Sequence, residues 1–244
     1  MAIIRGKSIV TDGLVLHIDA ANKKSYPGSG TTITDLSGNA NKGTLTNGPT
    51  FSSAKHGSIA FDGTNDQIIF PDSPELNFGA TDSFSVETTY NPLSSGNGGK
   101  LCVKGIIGYT GHGGVHSKYT LEYSSEADGI KVIGYLGDGT THIAVPSWYS
   151  SSYLQLYNTW NHAVMTVNRT TQIATLYING VSRGTSDIST MGEINNSYPL
   201  TLGGESNNVT VLPFYGKMNI ARIHNKSLTS AEVVQNFNFH KNRN

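Results

Sequence analysis

The sequence predicts an all-β fold, a two-sheet antiparallel sandwich closed by a short C-terminal helix. Segments rich in β-branched and aromatic residues recur between turns rich in Gly, Asn and Asp, a pattern typical of β proteins. The chain contains 28 Gly and only 14% charged residues, which fits a turn-rich β protein better than a helical or disordered one. A change of periodicity near residue 229 predicts the closing helix.

The segment 160–181 predicts the central hairpin of this fold. Apolar and polar residues alternate over 160–167, and after a polar turn the return run Ile173–Ile178 is again β-branched and aromatic, as expected for two paired strands. Asn179 and Gly180 both tolerate a positive φ, so a tight turn is expected to lead into a further strand.

The other strand signals follow in chain order. Segments 13–19 and 84–90 have strand patterns, and the runs on either side of a turn at 63–66 are expected to pair with each other. The remaining strands are expected at 119–123, 130–136, 141–145, 199–204 and 214–223, with Gly-rich loop tips at 94–100 and 109–116.

A capping box begins the C-terminal helix at residue 229. The Thr229 hydroxyl and the Glu232 carboxylate are spaced so that each can bond the backbone N–H of the other residue. Val233, Val234 and Phe237 then form an apolar stripe. We expect a short helix that covers a sheet edge and so protects that edge from pairing with another strand.

Length and charge limit the organisation and the partners of the chain. With 244 residues and no evident linker, it is expected to form a single domain over 1–244, with 1–12 available as an N-terminal arm. The 17 basic and 17 acidic residues balance without a Lys/Arg cluster, which argues against nucleic acid or an anionic membrane as partner. Cys102 has no second cysteine to pair with and is expected to be a small buried hydrophobe. No signal peptide and no membrane-spanning apolar run is evident.

Three stretches, in this order along the chain, resemble one family. They are 57–63 with Asp66, the hairpin that opens at 160–162 and closes at 176–180, and 214–223 followed by Leu228 and Thr229. Together they resemble laminin-G-like, concanavalin A-like jelly rolls. The resemblance implies a two-sheet jelly-roll sandwich, and some such domains hold calcium at a rim. Relatives often carry a large aromatic residue where this chain has Thr89, so the local packing is expected to differ there.

The N-terminal third carries a second similarity, at 11–14, 19–21, 25–28, 35–38 and 61–66. These segments resemble jelly-roll proteins encoded by tailed phages, notably phages of aquatic bacteria. The resemblance implies a non-enzymatic virion structural protein, a capsid decoration or a tail- or fibre-associated protein, assembled in the host cytoplasm. Its implied partners are other virion proteins, host-surface glycan or a second copy of the chain. A soluble carbohydrate-binding lectin module is the alternative, and a glycoside hydrolase comes third.

Carboxylates that could cleave a glycosidic bond are not clustered in the sequence. Such catalysis needs an acid and a second carboxylate on either side of one bond, most simply two or four residues apart on a strand. Glu87 stands alone in its strand, and Glu122 is followed only by Glu126 and Asp128 across a predicted turn. We expect these to be solvated strand and turn carboxylates. No Gly-flanked serine elbow occurs either, so we expect no enzymatic activity.

Asp62 and Asp66 are the candidate metal ligands. They flank a turn four residues apart, and turn carboxylates with backbone carbonyls suit Ca²⁺. Asn219 is the third candidate, at a position where relatives commonly carry Asp, so one negative charge is missing. The alternative is that both aspartates cap the turn through backbone amides. His112 and His116 lie in a Gly-rich loop without a third ligand and are expected to be exposed.

The most aromatic loop, at 146–158, is the candidate binding surface. It contains Trp148, Tyr149, Tyr153 and Tyr157, accompanied mainly by serines. These rings could pack against a neighbouring subunit, since Tyr and Trp are enriched at interfaces, stack on sugar rings, or cover the edge of their own sheet. We rank the interface first and the glycan second, because the loop lacks the carboxylates and amides that usually orient sugar hydroxyls.

Overall fold

Two antiparallel sheets face one another in the computed structural model, which describes residues 8–54, 57–93, 98–105, 118–126, 129–146, 157–205 and 212–241. The elements are β1 (Leu14–Asp19), β2 (Thr32–Thr34), β3 (Lys42–Thr46), β4 (Thr50–Ser52), β5 (Ser58–Asp62), β6 (Gln67–Phe70), β7 (Phe84–Pro92), β8 (Gly98–Lys104), β9 (Lys118–Glu126), β10 (Gly129–Gly137), β11 (His142–Val145), β12 (Asn161–Asn168), β13 (Ile173–Ile178), β14 (Val181–Asp187), β15 (Leu200–Leu202), β16 (Tyr215–His224) and α1 (Ser230–Lys241). The first sheet has the order β14-β13-β12-β7-β16-β5-β4, with β1 also paired to β16, and the second has the order β11-β10-β9-β8-β15-β6-β3-β2. This is the predicted jelly-roll sandwich.

Aromatic residues from both sheets meet in the core between them. On β7, the Phe84 ring centroid lies 5.3 Å from that of Tyr119 on β9, and the Tyr90 centroid lies 6.4 Å from that of Tyr123. Cys102 is buried among the same core side chains, as predicted. Because β7 alternates strictly, its other face presents Ser85, Glu87 and Thr89 away from the core.

The predicted central hairpin is confirmed. β12 and β13 pair from Ala163 with Ile178 to Asn168 with Ile173. Asn179 and Gly180 have φ values of 52° and 78°, so both occupy the left-handed region that a tight two-residue turn requires, and β14 follows as expected.

The expected pairing across the turn at 63–66 is wrong. β5 pairs with β4 and β16 in the first sheet, whereas β6 pairs with β3 and β15 in the second. The turn therefore carries the chain from one sheet to the other. The two runs are apolar enough to suit a hairpin, but each pairs instead with a strand from the distant C-terminal half.

Part of the predicted loop tip at 94–100 is a strand. Gly98 and Gly99 begin β8 and are buried. A Cβ atom at Gly98 would lie 2.4 Å from the Tyr123 carbonyl oxygen on β9, so glycine allows the two strands to approach. Gly richness there reflects close packing and not a loop. The second predicted loop tip, at 109–116, lies outside the described residues, as do His112 and His116.

Helix α1 packs against the outer face of the first sheet, where it contacts β7, β12 and β16, and it also contacts β14, the strand at one edge of that sheet. Its capping box is confirmed, because the Thr229 N–H donates to Glu232 Oε2 at 2.8 Å and the Glu232 N–H donates to Thr229 Oγ1 at 3.3 Å. Val233 is buried, but Val234 is 39% exposed. Asn236 and His240 are buried in its place, so the helix contacts the sheet through a partly polar face. No helix in the described ranges has the length and apolarity to cross a bilayer.

Candidate functional site

A cleft of about 360 Å³ opens between the last turn of α1 and the outer face of the first sheet. Four parts of the chain line it: β7, the start of β12 with the residues before it, the β13–β14 turn, and α1. The lining residues are Thr89, Asn158, Thr159, Trp160, Asn161, His162, Asn179, Phe237, His240 and Lys241. These described residues provide aromatic, amide, hydroxyl and imidazole groups and one exposed ammonium group, and none of them carries a carboxylate.

Backbone contacts fix the entrance of the cleft. The Asn158 N–H donates to the Pro92 carbonyl at 2.8 Å, which anchors the segment before β12 to the end of β7. The Asn179 N–H donates to the His162 carbonyl at 2.8 Å, and Asn179 Oδ1 accepts from the His162 N–H at 2.9 Å. The β13–β14 turn is therefore held against β12, with Trp160 half-buried beside it.

Thr89 and His162, which line the cleft and which we call its floor, each carry a buried polar atom that has no hydrogen-bond partner among the described residues. The atoms are Thr89 Oγ1 and His162 Nδ1, on side chains of which only 2% is exposed. Thr89 and His162 are directly opposed in the β7–β12 ladder, so their side chains are neighbours on the same face. The Phe237 ring covers His162 from the helix side at a centroid distance of 5.9 Å.

A group of buried polar residues, which we call the Glu87 cluster, supports this floor. It consists of Glu87, Arg222, His162, His240, His17 and Asn236. Glu87 Oε1 accepts from Arg222 Nη1 at 2.7 Å and lies 3.0 Å from His162 Nε2, while Glu87 Oε2 accepts from Asn236 Nδ2 at 2.7 Å. Burial alone would raise the pKa of Glu87, but the Arg222 guanidinium and the hydrogen bond from His162 hold it well below its usual range.

The remaining histidines of the Glu87 cluster lie against Arg222. His240 Nε2 is 2.6 Å from Arg222 Nη1, and His17 Nε2 is 3.2 Å from Arg222 Nη2. Since a guanidinium can only donate, both imidazole nitrogens accept. Burial lowers the pKa of His240 to about 4, and burial with the nearby Arg222 charge lowers the pKa of His17 to about 3. Both are therefore neutral at neutral pH.

The expectation that Glu87 and Glu122 are solvated is wrong. Glu87 has no exposed surface and Glu122 is 4% exposed. Glu122 forms an ion pair with Lys100, whose side chain is also buried. These two carboxylates lie in different sheets, because β7 belongs to the first and β9 to the second. Asp128 lies outside the described residues.

Most of the predicted aromatic surface lies outside the described residues. Trp148, Tyr149 and Tyr153 lie outside the described residues, whereas Tyr157 is half-buried and packs against the main core. Tyr157 immediately precedes Asn158, so the aromatic loop leads directly to the cleft.

Asp62 and Asp66 lie together, but Asn219 does not join them. Asp66 Oδ2 accepts from the Asp62 N–H at 2.9 Å, and Asp62 Oδ1 accepts from the Thr64 N–H at 2.8 Å. Tyr215 is the β16 residue opposite Asp62, and Asn219 is four positions farther along, roughly 13 Å at the usual rise of a strand. The described residues contain no group of three or more His, Cys, Asp or Glu side chains suited to a metal ion.

The cleft was not predicted from the sequence. Trp160, one of the two tryptophans of the chain, and His162 belong to the strand pattern at 160–167. Nothing in that pattern indicates the contact between His162 and Glu87. One signal was present: the family resemblance led us to expect different local packing at Thr89, and Thr89 lines the cleft.

The family described as the concanavalin A-like lectin/glucanases superfamily matches residues 62–234. No curated protein sequence matches the chain. Among solved structures, the binding domain of Paraclostridial Mosquitocidal Protein 1 is similar at 20% identity and a TM-score of 0.66, over 95% of this chain and 53% of that one. The ligand binding domain of botulinum neurotoxin serotype D, in complex with N-acetylneuraminic acid, is similar at 17% identity and a TM-score of 0.67, over 94% of this chain and 52% of that one.

A third solved structure is similar over nearly its whole length. Domain 4 of AbnA, an extracellular arabinanase from Geobacillus stearothermophilus in complex with arabinotriose, matches at 16% identity and a TM-score of 0.61, over 91% of this chain and 96% of that one. The chain spans about half the length of the two toxin domains above. At these identities the likeness concerns the fold.

Proposed function

Because the chain belongs to the concanavalin A-like lectin/glucanase superfamily, we propose that it is a non-catalytic domain that attaches to carbohydrate. The observation that carries this proposal is the cleft beside Trp160. We assign the saccharide to that cleft, with Trp160 as the apolar surface and the surrounding amides and hydroxyls as hydrogen-bonding groups.

The chemistry of the lining suits a sugar ring. Sugars present apolar C–H faces that pack on aromatic rings and hydroxyls that need several convergent polar partners. The cleft offers a half-buried Trp160 together with amides at Asn158, Asn161 and Asn179. Its volume of about 360 Å³ is within the range of small-molecule sites.

Similar structures support the class of ligand. The AbnA domain was solved with arabinotriose and the serotype D domain with N-acetylneuraminic acid, so this fold carries saccharides in other proteins. Fold alone does not specify function, so the proposal rests on the residues that line the cleft.

The described carboxylates argue against glycoside hydrolysis. Hydrolysis needs two carboxyl groups facing one bond, about 5 to 10 Å apart. Glu87 is enclosed by its partners in the Glu87 cluster, and Glu122 is paired with Lys100 in the other sheet. Neither can flank a bond in the cleft.

We further propose that the attachment domain belongs to a phage virion. The support is the similarity of the N-terminal segments, among them 11–14, 35–38 and 61–66, to jelly-roll proteins of tailed phages. In that setting the cleft would hold host-surface glycan, while the aromatic loop at 146–158 would contact other virion proteins or a second copy of the chain.

Truncation of Trp160 tests the carbohydrate proposal. Wild type, Trp160→Ala and Trp160→Phe are compared on an array of immobilised oligosaccharides and by calorimetry with each hit. Loss of an aromatic–sugar contact of about 2 kcal/mol corresponds to about 30-fold weaker binding, and the Phe variant should retain part of the affinity. Thermal unfolding controls for folding. Wild-type protein that binds no saccharide, or binding that Trp160→Ala leaves unchanged, contradicts the proposal.

A further inference from the structure

We propose that the floor of the cleft selects a neutral saccharide through two adjacent hydroxyl groups, one of which donates to His162 Nδ1 while the other bonds Thr89 Oγ1. This inference rests on the proposed carbohydrate function and specifies which groups of the saccharide the cleft recognises. His162 and Thr89 become the specificity-determining residues of the cleft.

The hydrogen bond to Glu87 determines what His162 presents to the cleft. Glu87 is ionised, because its pKa is held well below the usual range, so its oxygens only accept. His162 Nε2, 3.0 Å from Glu87 Oε1, must therefore carry the proton. In the neutral imidazole the other nitrogen, Nδ1, is then an acceptor. A ligand that occupies this position must bring a hydrogen-bond donor.

Thr89 adds a second polar atom beside the first. Its side chain is 2% exposed, and its Oγ1 has no partner among the described residues. Since Thr89 and His162 are opposed across the β7–β12 ladder, their Cβ atoms are about 5 Å apart. Polar atoms on two adjacent side chains, Thr89 Oγ1 and His162 Nδ1, suit two neighbouring hydroxyl groups of one sugar ring. Leaving both buried and unpaired costs about 1 to 3 kcal/mol for each group, which a bound hydroxyl would recover.

An acidic group does not fit the same place. A carboxylate or sulfate would bring lone pairs against the lone pair of His162 Nδ1, with the ionised Glu87 directly behind that ring. The last-turn carbonyls of α1 also point their negative ends toward this region. Lys241 is the cation of the lining, but it is exposed and its attraction for an anion is reduced by solvent and salt. The floor therefore favours a neutral donor.

The test uses two variants that keep the shape of the cleft. Thr89→Val removes the hydroxyl at nearly constant volume. His162→Gln keeps an amide N–H that can donate to Glu87 but removes the acceptor at Nδ1. Thr88→Val is the matched control, because Thr88 is the adjacent β7 residue, is equally buried, also has an unpartnered hydroxyl among the described residues, and faces the core. Unfolding temperatures establish that all three variants fold.

The probes are matched neutral and acidic saccharides measured by calorimetry. They comprise neutral oligosaccharides of hexoses and pentoses, uronic- and sialic-acid oligosaccharides, and O-methyl derivatives of the tightest neutral ligand. We expect neutral ligands to bind, with affinity about 5- to 15-fold weaker in Thr89→Val and in His162→Gln, as loss of one buried hydrogen bond predicts. Affinity in Thr88→Val should be unchanged. O-methylation of the donating hydroxyl should weaken wild-type binding by a similar factor and leave His162→Gln unaffected.

The outcomes separate this inference from the function on which it rests. If wild-type protein binds no saccharide of either class, the carbohydrate function fails and the inference fails with it. If saccharide binds but Thr89→Val and His162→Gln retain full affinity, or if acidic ligands bind more tightly than neutral ones, the carbohydrate function stands and the assignment of the floor is overturned.

Discussion

The cleft beneath α1 and the turn at 63–66 each contain a buried polar atom without a partner among the described residues, but the two atoms differ in chemistry. In the cleft it is His162 Nδ1, an imidazole nitrogen. At the turn it is Asp66 Oδ1, an oxygen of a carboxyl group that is 4% exposed. A neutral acceptor needs only a donor such as a hydroxyl, whereas an ionised oxygen favours a cation or a proton.

The two places also differ in how they are built. At the turn, one oxygen of each aspartate is bonded locally, to a backbone amide within four residues. The cleft is assembled from β7, β12, the β13–β14 turn and α1, and its floor depends on the Glu87 cluster. A ligand site of the second kind depends on distant parts of the fold, so changes in the buried cluster should affect stability far more than changes at the turn.

Removal of Glu87 should have the largest effect. Glu87→Ala leaves the Arg222 guanidinium, which is 1% exposed, without its carboxylate, and breaking a buried pair in this way costs about 3 to 5 kcal/mol. Unfolding in urea measures the loss. The double variant Glu87→Gln with Arg222→Met should recover much of it, because no unpaired charge remains buried. A loss below about 1 kcal/mol for Glu87→Ala would mean that the Glu87 cluster stabilises the fold no more than the turn at 63–66 does.

Lowering the pH should have the second largest effect on stability, through the Glu87 cluster. The pKa of His240 is lowered from 6.5 to about 4 in the folded chain. The contribution of the neutral imidazole to the free energy of unfolding is therefore fully present above pH 6.5 and is lost as the pH falls toward 4. A shift of this size corresponds to roughly 3 kcal/mol. We expect the free energy of unfolding to fall over this range, and to fall less steeply in His240→Gln, which cannot take up the proton. Equal slopes for both proteins would contradict this assignment.

What the sequence could predict follows the same division between local and distant contacts. The capping box, the β12–β13 hairpin and the turn at Asn179 depend on residues a few positions apart, and all three are confirmed. The predicted pairing of β5 with β6 was wrong because each strand pairs with one nearer strand, β4 or β3, and with one more than 100 residues away, β16 or β15. Local pattern contains no information about that choice.

The cleft was missed for the same reason. Thr89, His162 and the last turn of α1 each have an ordinary local interpretation, as strand residues and as a helix end. Glu87 looked like a solvated carboxylate because nothing within its strand could pair with it, yet its partners come from β12, β16 and α1. The burial of a charged residue can be predicted from sequence only when the residues that pair with it are known to lie beside it in the fold.

The aromatic loop at 146–158 offers a direct contrast to the cleft. If Trp148 anchors a protein interface, Trp148→Ala should weaken assembly by about 2 kcal/mol, since buried aromatic anchors dominate interface energy, while saccharide affinity stays unchanged. Trp160→Ala should weaken saccharide binding and leave assembly unchanged. Sedimentation and incorporation into virions, each at low and moderate salt, measure assembly. Unchanged assembly in Trp148→Ala would reject the interface and leave attachment to the cleft alone.

The smallest effect is expected at the turn, where the calcium hypothesis remains to be tested. Burial raises the pKa of Asp66, so the ionised form is disfavoured in the folded chain and a cation near Oδ1 would offset that cost. A bound ion stabilises only the folded state. Asp66→Asn, which keeps the acceptor for the Asp62 N–H, should therefore change the unfolding temperature little in chelator and lower it in calcium.

The double variant Asp62→Ala with Asp66→Ala should add a loss of about 1 kcal/mol in both conditions, as removal of turn caps predicts. With two carboxylates and no Asn219 beside them, the site has few ligands for an ion that takes six to eight oxygens. Equal stability of wild type in calcium and in chelator would assign both aspartates to the turn.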